Sequence, residues 1–380
     1  MKVVIAGTGM YMCGRADNDF GTILPAVMQA RLDGLVDAIQ ILGRSQGGVV
    51  RCESVSRQIA SMLGHDYRPS VHRANSDEYF ETLGILCRSS DVLIVCLPDH
   101  LHHRAASVGI EHNCHVLVVK PLVPDLKSAK ELVALSEGKQ LLCCVEFHKR
   151  LDHQAQIART RIRSGGIGEV LHVTVDYSQQ VVIPRDIFSN WRNKTNIFQY
   201  LGAHYVDLIQ YLTGAVPKSL TATGQKALLR DLDDTVYDLI ATKIEWELPN
   251  KRSFYSDIVT SWVDPVSSPV MSIQEMKVRG TEGYLDCNQY DRGFSICQPD
   301  KFAMINPDFC QFVLKPSKVD EYRWIGYGIS SILNFLECCH SSHKHLFLPT
   351  FKQSLANVAV CEAVMQSVIN SGKQMSFEQY

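Results

Sequence analysis

Apolar residues in the first 147 positions fall into two kinds of run. The first kind is short and nearly continuous: KVVIA at 2–6, VDAIQIL at 36–42, DVLIVCLP at 91–98, HVLVVKP at 115–121 and QLLCCVEF at 140–147. Such blocks, several of them bounded by glycine or proline, predict strands covered on both faces, as in a parallel sheet. The second kind has helical spacing and lies between them, at 22–32, 53–64, 76–88, 100–113 and 125–137. Strand–helix alternation of this sort predicts a doubly wound parallel sheet over residues 1–147.

The pattern changes near residue 148. A helix is predicted at 153–164, a glycine turn at 165–168, and a strand with in–out alternation in EVLHVTVDYSQQ at 169–180. Helical spacing returns at 201–213, strands dominate from 218 to about 315, and two helices follow near 326–339 and 351–371. Residues 148–380 therefore read as an α+β domain with a large, mostly antiparallel open sheet and helices on one face. Two domains also suit a chain of 380 residues.

Charge and cysteine content narrow the setting. Net charge is -2, from 38 basic and 40 acidic residues, which gives no electrostatic case for nucleic acid or an anionic membrane surface. No apolar run approaches the ~20 residues needed to span a bilayer. The 13 cysteines include no C-x-x-C pair, and several sit inside strand-like runs as small hydrophobes. With a strand starting at residue 2, this predicts a reduced, cytoplasmic protein without a signal peptide. Cys338, Cys339, His340, His343 and His345 cluster with irregular spacing. They read as a polar helix end and loop, with no metal.

Chemistry enters at the first strand. KVVIA stops at Gly7, and GTGMYMCG supplies glycines for a tight turn off a buried strand. Gly7 and Gly9 fit a G-x-G-x-x-G dinucleotide fingerprint, Met12 stands where its third glycine belongs, and Gly14 comes two residues late. RADNDFG follows before helical spacing resumes, so the turn is longer than usual. A plain glycine turn is the competing reading. The flanking alternation favours a Rossmann domain, with Gly7, Gly9, Met10 and Tyr11 as cofactor contacts. The second strand ends Leu42-Gly43-Arg44-Ser45, without an acidic residue for a ribose 2′-hydroxyl. Arg44 and Ser45 suit a 2′-phosphate, so NADP is expected, with NAD as the alternative.

Several segments in order resemble the glucose–fructose oxidoreductase/inositol dehydrogenase (Gfo/Idh/MocA) family. They are CLPDHLHHRAASVGIEHNCHVLVVKPLVPDLKSAKELVAL, IRSGGIGEV at 162–170, LGAHYVDLIQYLTG at 201–214, VRGTEGYLD at 278–286 and LPTFKQSLANVAVCEAVMQSVINSGK at 348–373. The resemblance implies NAD(P)-dependent oxidation or reduction of a sugar, nucleotide-sugar or cyclitol. It gives Lys120, followed by Pro121, the catalytic-lysine role; an ammonium at a strand's carboxyl end stabilises a developing alkoxide. The family glutamate before it is Val119 here. His204 matches the family's second-domain histidine, suited to proton transfer near neutral pH. Tyr200 stands where an aspartate is usual, and it joins His204 as a possible relay. A helix-cap or core histidine is the bland alternative for His204. Leu97, Pro98, Asp99 and His102 would border the nicotinamide ribose. Glu146, His148 and Arg150, with Trp191 and Asp207, are the substrate-side candidates. The family further implies a homodimer or homotetramer built through the open sheet. Val119 and Tyr200 keep a second class open, a non-catalytic dinucleotide-binding sensor of the same fold.

Overall fold

A computed structural model describes residues 1–15, 19–233, 235–315, 321–341 and 345–377. The chain forms two compact units. The first comprises Met1–Val123, Lys127–Asp152 and Asp308–Ser354; the second comprises Pro124–Leu126, His153–Pro307 and Leu355–Tyr380.

The first unit is built on a six-stranded, wholly parallel sheet: β1 (Lys2–Ala6), β2 (Ala38–Gly43), β3 (Ser70–Arg73), β4 (Val92–Val95), β5 (His115–Val119) and β6 (Cys143–Glu146), in the order β3-β2-β1-β4-β5-β6. β1 is central because it is apolar on both sides. Val3 pairs with Ile39 and Val92, and Val3 to Ala6 have no exposed surface. β3 (SVHR) lacks any apolar run, which is why the sequence pattern did not predict it. It lies at the edge, where half-exposed residues suffice.

The first helix is split. α1 spans only Met10–Cys13, and α2 spans Ile23–Leu32. Thr22 N donates to Tyr11 O at 2.8 Å, a bond that residue 15 would make in an unbroken helix. Gly14, Arg15 and residues 19–21 lie outside both helices. Arg51 holds the break by donating to Gly14 O at 2.8 Å. Helix α3 (Gln46–Met62) begins seven residues before the predicted start, because Gly47 and Gly48 mask its apolar spacing. Ser45 is its N-cap, accepting from Gly48 N at 3.1 Å. Helices α4 (Tyr79–Leu86), α5 (His102–Glu111) and α6 (Leu126–Ser136) complete the crossovers.

The sequence assigned 308–354 to the second domain, yet this segment packs into the first unit. α2 is buried almost all round, from Ile23 to Ala30, and so needs cover on two sides. The sheet supplies one cover. A helix at Tyr327–His340 supplies the other, placing Ile329, Ile332, Phe335 and Leu336 in the same core. Residues 349–351 bond along the β6 edge, with Val145 N donating to Pro349 O at 3.0 Å. Covering that edge protects an otherwise open strand.

The second unit contains α7 (His153–Arg163), α8 (Ala203–Thr213) and a seven-stranded, mostly antiparallel sheet. Its strands are β7 (Val170–Gln180), β8 (Val216–Gln225), β9 (Leu239–Glu247), β10 (Ser253–Asp264), β11 (Ser272–Gly280), β12 (Tyr284–Asn288) and a short edge pair at Met375–Ser376. Among the described residues of this sheet only the β7–β10 pairing is parallel. Val173, Val175 and Tyr177 of β7 point into the core, whereas Leu171, Thr174 and Asp176 face outward. The helix Leu355–Ile369 packs on α8 and β8; Asn357 donates to Ala203 O at 2.7 Å.

All thirteen cysteines are free thiols. Of the Cys338–His345 cluster, His343 lies outside the described residues. Among the described residues no group of three His, Cys, Asp or Glu is placed to hold a metal, and no helix is long and apolar enough to cross a membrane.

Candidate functional site

A cleft of about 400 Å³ opens at the carboxyl edge of β1, β2 and β4. In open α/β sheets this edge, beside the point where strand order reverses, is where ligands bind. The cleft has the size of small-molecule and cofactor sites. It is lined by the turn Gly7, Thr8 and Gly9, by Arg44 and Ser45 after β2, and by Leu97 and Pro98 after β4. Six of the predicted cofactor contacts thus line one cavity. The sequence pattern missed Tyr79, Phe80 and Arg104, which also line it. Arg104 lies over the Phe80 ring at 4.3 Å. Its position near the start of the helix that follows β4 was the available signal.

Backbone geometry explains the glycines. Gly7 has φ +115°, and a Cβ there would overlap the Cys96 carbonyl oxygen. Gly9 has ordinary backbone angles, but a Cβ there would meet no protein atom within 4 Å. Gly7 is therefore required by the fold. Gly9 leaves open space beside the backbone at the start of a helix, where a phosphate can approach N–H groups. These residues fit a dinucleotide.

Met10 opens α1. Tyr11, next along, is half-buried. Its phenol is 3.1 Å from His148 Nδ1, and burial, with the neighbouring Glu146 charge, pushes the phenol well above its usual pKa. Asp99 is buried in the turn after β4. His102 is also buried. Its Nδ1 is 2.8 Å from Pro121 O and its Nε2 is 2.8 Å from Leu97 O, so the ring ties the two strand-end turns together. Lys120 directly follows β5, is 9% exposed, and is joined to Pro121 by a cis peptide bond.

Glu146 ends β6 and is fully buried. Ser331 donates to its Oε1 at 2.6 Å, and His148 Nδ1 lies 3.1 Å from its Oε2. Its burial does not suit the direct substrate contact expected of it. Arg150 is half-buried and donates to Phe347 O at 3.3 Å.

In the second unit, His204 and Asp207 lie on α8 and are 4% and 3% exposed. The turn before α8 is a widened, π-helical one at Phe198–Gly202, opened by Asn196, whose side-chain oxygen accepts from Gln199 N at 2.8 Å. Tyr200, in this turn, has its ring 4.8 Å from Phe188 and 6.1 Å from Trp262. Trp191 joins the same cluster, 4.2 Å from Phe188. The His204 ring neighbours Tyr177 at 6.2 Å. Tyrosine in place of the family aspartate thus comes with an aromatic setting rather than a polar one.

Two family models match the chain. One is an oxidoreductase family, NAD-binding Rossmann fold, over residues 57–147; the other is the GFO/IDH/MocA C-terminal domain, over residues 155–286. The chain belongs to the Gfo/Idh/MocA family. An uncharacterized oxidoreductase from Schizosaccharomyces pombe is 29% identical over 136 residues, 35% of this chain and 36% of the relative. The chain thus spans only about a third of that curated relative's length. Glucose-6-phosphate 3-dehydrogenase from Bacillus subtilis is 26% identical over 300 residues, 77% of this chain and 83% of the relative. Among solved structures, scyllo-inositol dehydrogenase from Lactobacillus casei with bound NAD(H) and scyllo-inositol superposes with TM-score 0.70 at 12% identity, covering 99% of this chain and 98% of that one. Myo-inositol 2-dehydrogenase from Lactobacillus plantarum superposes with TM-score 0.71 at 13% identity, covering 100% and 99%. At these identities the structures establish the shared fold.

Proposed function

We propose that this chain is an NAD(P)-dependent oxidoreductase that exchanges hydride between the nicotinamide and a ring carbon of a sugar, nucleotide-sugar or cyclitol. The observation that carries the reading is the cleft, lined by Gly9, with open space beside it for a phosphate, and by Arg44 and Ser45. NADP is the preferred dinucleotide. Arg44 and Ser45 follow β2, where a 2′-phosphate is read, and neither is acidic. The first unit serves as cofactor-binding body and the second as substrate-binding and oligomerisation body. A cytoplasmic setting accords with the free thiols.

The nicotinamide supplies the hydride acceptor or donor when bound. Lys120 stabilises the oxygen of the reacting carbinol as negative charge develops on it. His204 takes the hydroxyl proton in oxidation and returns it in reduction. Tyr200 belongs to the aromatic cluster and its part in that transfer is tested by substitution. Trp191 and Asp207 contribute to the substrate side, where an aromatic surface suits the apolar face of a sugar ring.

The test is a fluorescence titration with NADPH and NADH, followed by a turnover screen across sugars, sugar nucleotides and cyclitols. Lys120→Ala is expected to lower turnover by roughly 10²–10³ while leaving cofactor affinity nearly unchanged. His204→Ala is expected to lower it by about 10²–10⁴. Tight NADPH binding with no turnover on any substrate would replace the enzyme reading with the sensor reading. Failure of both dinucleotides to bind would remove both.

A further inference from the structure

Glu146 is the least expected charge in the first unit. A carboxyl group at the end of a buried strand, with no exposed surface, is costly unless donors surround it. Here they do. Ser331 donates to Oε1 at 2.6 Å, and His148 Nδ1 stands 3.1 Å from Oε2. The Tyr11 phenol oxygen is 3.1 Å from the same Nδ1. The imidazole is clamped as well. It stacks between Tyr11, at 5.9 Å and 24°, and Tyr327, at 5.7 Å and 25°, with Phe309 at 5.4 Å on a third side.

This geometry fixes where the protons sit. A carboxylate only accepts, so an Nδ1 facing Oε2 must carry a hydrogen. Tyr11 then cannot donate to Nδ1, and its oxygen can only accept there. Its raised pKa keeps it protonated. In the neutral form of the ring the lone pair is then on Nε2. The same logic orients the histidine of catalytic triads and of metal sites, where a buried carboxylate selects the tautomer.

We propose that Glu146 is a positioning residue. Through the Nδ1–H of His148 it holds this imidazole with Nε2 as the accepting nitrogen, and Tyr11, on the short helix that follows Gly9, links that arrangement to filling of the dinucleotide turn. The link to Tyr11 rests on the dinucleotide reading above; the role of Glu146 does not. Neither residue touches the reacting atoms in this account.

The test is side-chain ¹⁵N NMR of histidine-labelled protein, with the His148 signals assigned from His148→Gln. Wild-type protein without cofactor should show the Nδ1–H tautomer; an Nε2–H ring would overturn the proposal, and this arm needs no substitution. In Glu146→Gln, whose amide can donate to Nδ1, the ring should shift toward Nε2–H. An unchanged tautomer in a variant that melts like wild type would also sink it. On saturation with NADPH, followed independently by nicotinamide fluorescence, the His148 signals should move in wild type and stay in place in Tyr11→Phe. Signals that stay in place in saturated wild type would refute the link. If neither NADPH nor NADH binds, the dinucleotide reading and the Tyr11 link fall together, while the tautomer in the cofactor-free protein still decides the role of Glu146.

Discussion

Gly7 and Gly9 stand two residues apart in one turn, yet alanine at each should do opposite things. At Gly7 the backbone has φ +115°, and a Cβ would overlap the Cys96 carbonyl oxygen. Positive φ costs an L-residue roughly 1–2 kcal/mol. Displacing the end of β4 to relieve the overlap costs about 1–3 kcal/mol more. The total for Gly7→Ala is about 3 kcal/mol, or roughly 6–12 °C in Tm at ~2–4 °C per kcal/mol. At Gly9 the backbone is ordinary and a Cβ meets nothing within 4 Å. Alanine is a poorer N-cap than glycine by roughly 0.5–1 kcal/mol, and it recovers about 0.4–1 kcal/mol by restricting the unfolded chain. Gly9→Ala should therefore melt within a degree or two of wild type. Its methyl group occupies the space a phosphate needs beside the helix start. Loss of one charge-assisted bond there, about 1.5–3 kcal/mol, weakens dinucleotide binding roughly 10–150-fold. Differential scanning fluorimetry and NADPH titration on the two variants separate the effects. The reasoning is refuted if Gly9→Ala binds NADPH like wild type, or if Gly7→Ala melts like it.

Three further outcomes follow from single sites. Arg44→Asp should weaken NADPH binding by about 1.5–3 kcal/mol and leave NADH binding little changed, measured by fluorescence titration; equal losses for both would place Arg44 away from the 2′-phosphate. Asp176, on the outward face of β7, has its pKa raised by partial burial and by the Glu275 and Asp264 charges. The folded state then holds its proton more tightly than the unfolded state. Stability falls as pH rises from the ordinary Asp range through the raised value, and the penalty persists above it; Asp176→Asn should raise Tm at neutral pH and not near pH 3, and equal effects at both would remove the electrostatic cause. The same sheet face exposes Leu171, Tyr255 and Tyr284, and we propose it as the self-association surface; light scattering should report a dimer or tetramer at micromolar concentration, and Tyr284→Glu should dissociate it.

How far the sequence could be read depended on whether a residue's neighbours were local. The parallel sheet was legible because β1, β4 and β5 are apolar along both faces, a pattern that needs no distant partner to interpret. β3 was not, because an edge strand with exposed residues carries little hydrophobic signal. The start of α3 was hidden by Gly47 and Gly48, although the Ser45 cap was available as a local cue. Residues 308–354 were misplaced for a different reason. Their helix at 327–340 is amphipathic by pattern, but nothing in that pattern says that its partner is α2, about three hundred residues earlier. The cue lay in α2 itself, whose apolar residues run all the way round and so require a second cover. The site divides in the same way. Gly7, Gly9, Arg44, Ser45, Leu97 and Pro98, which line one cleft, could be grouped from the sequence because each sits at or just after a predictable strand end. Glu146 was noticed as a charge at such an end, but read as a substrate contact. Only the packing of Ser331 and His148 around it shows that this side chain faces inward, the observation from which its positioning role is proposed.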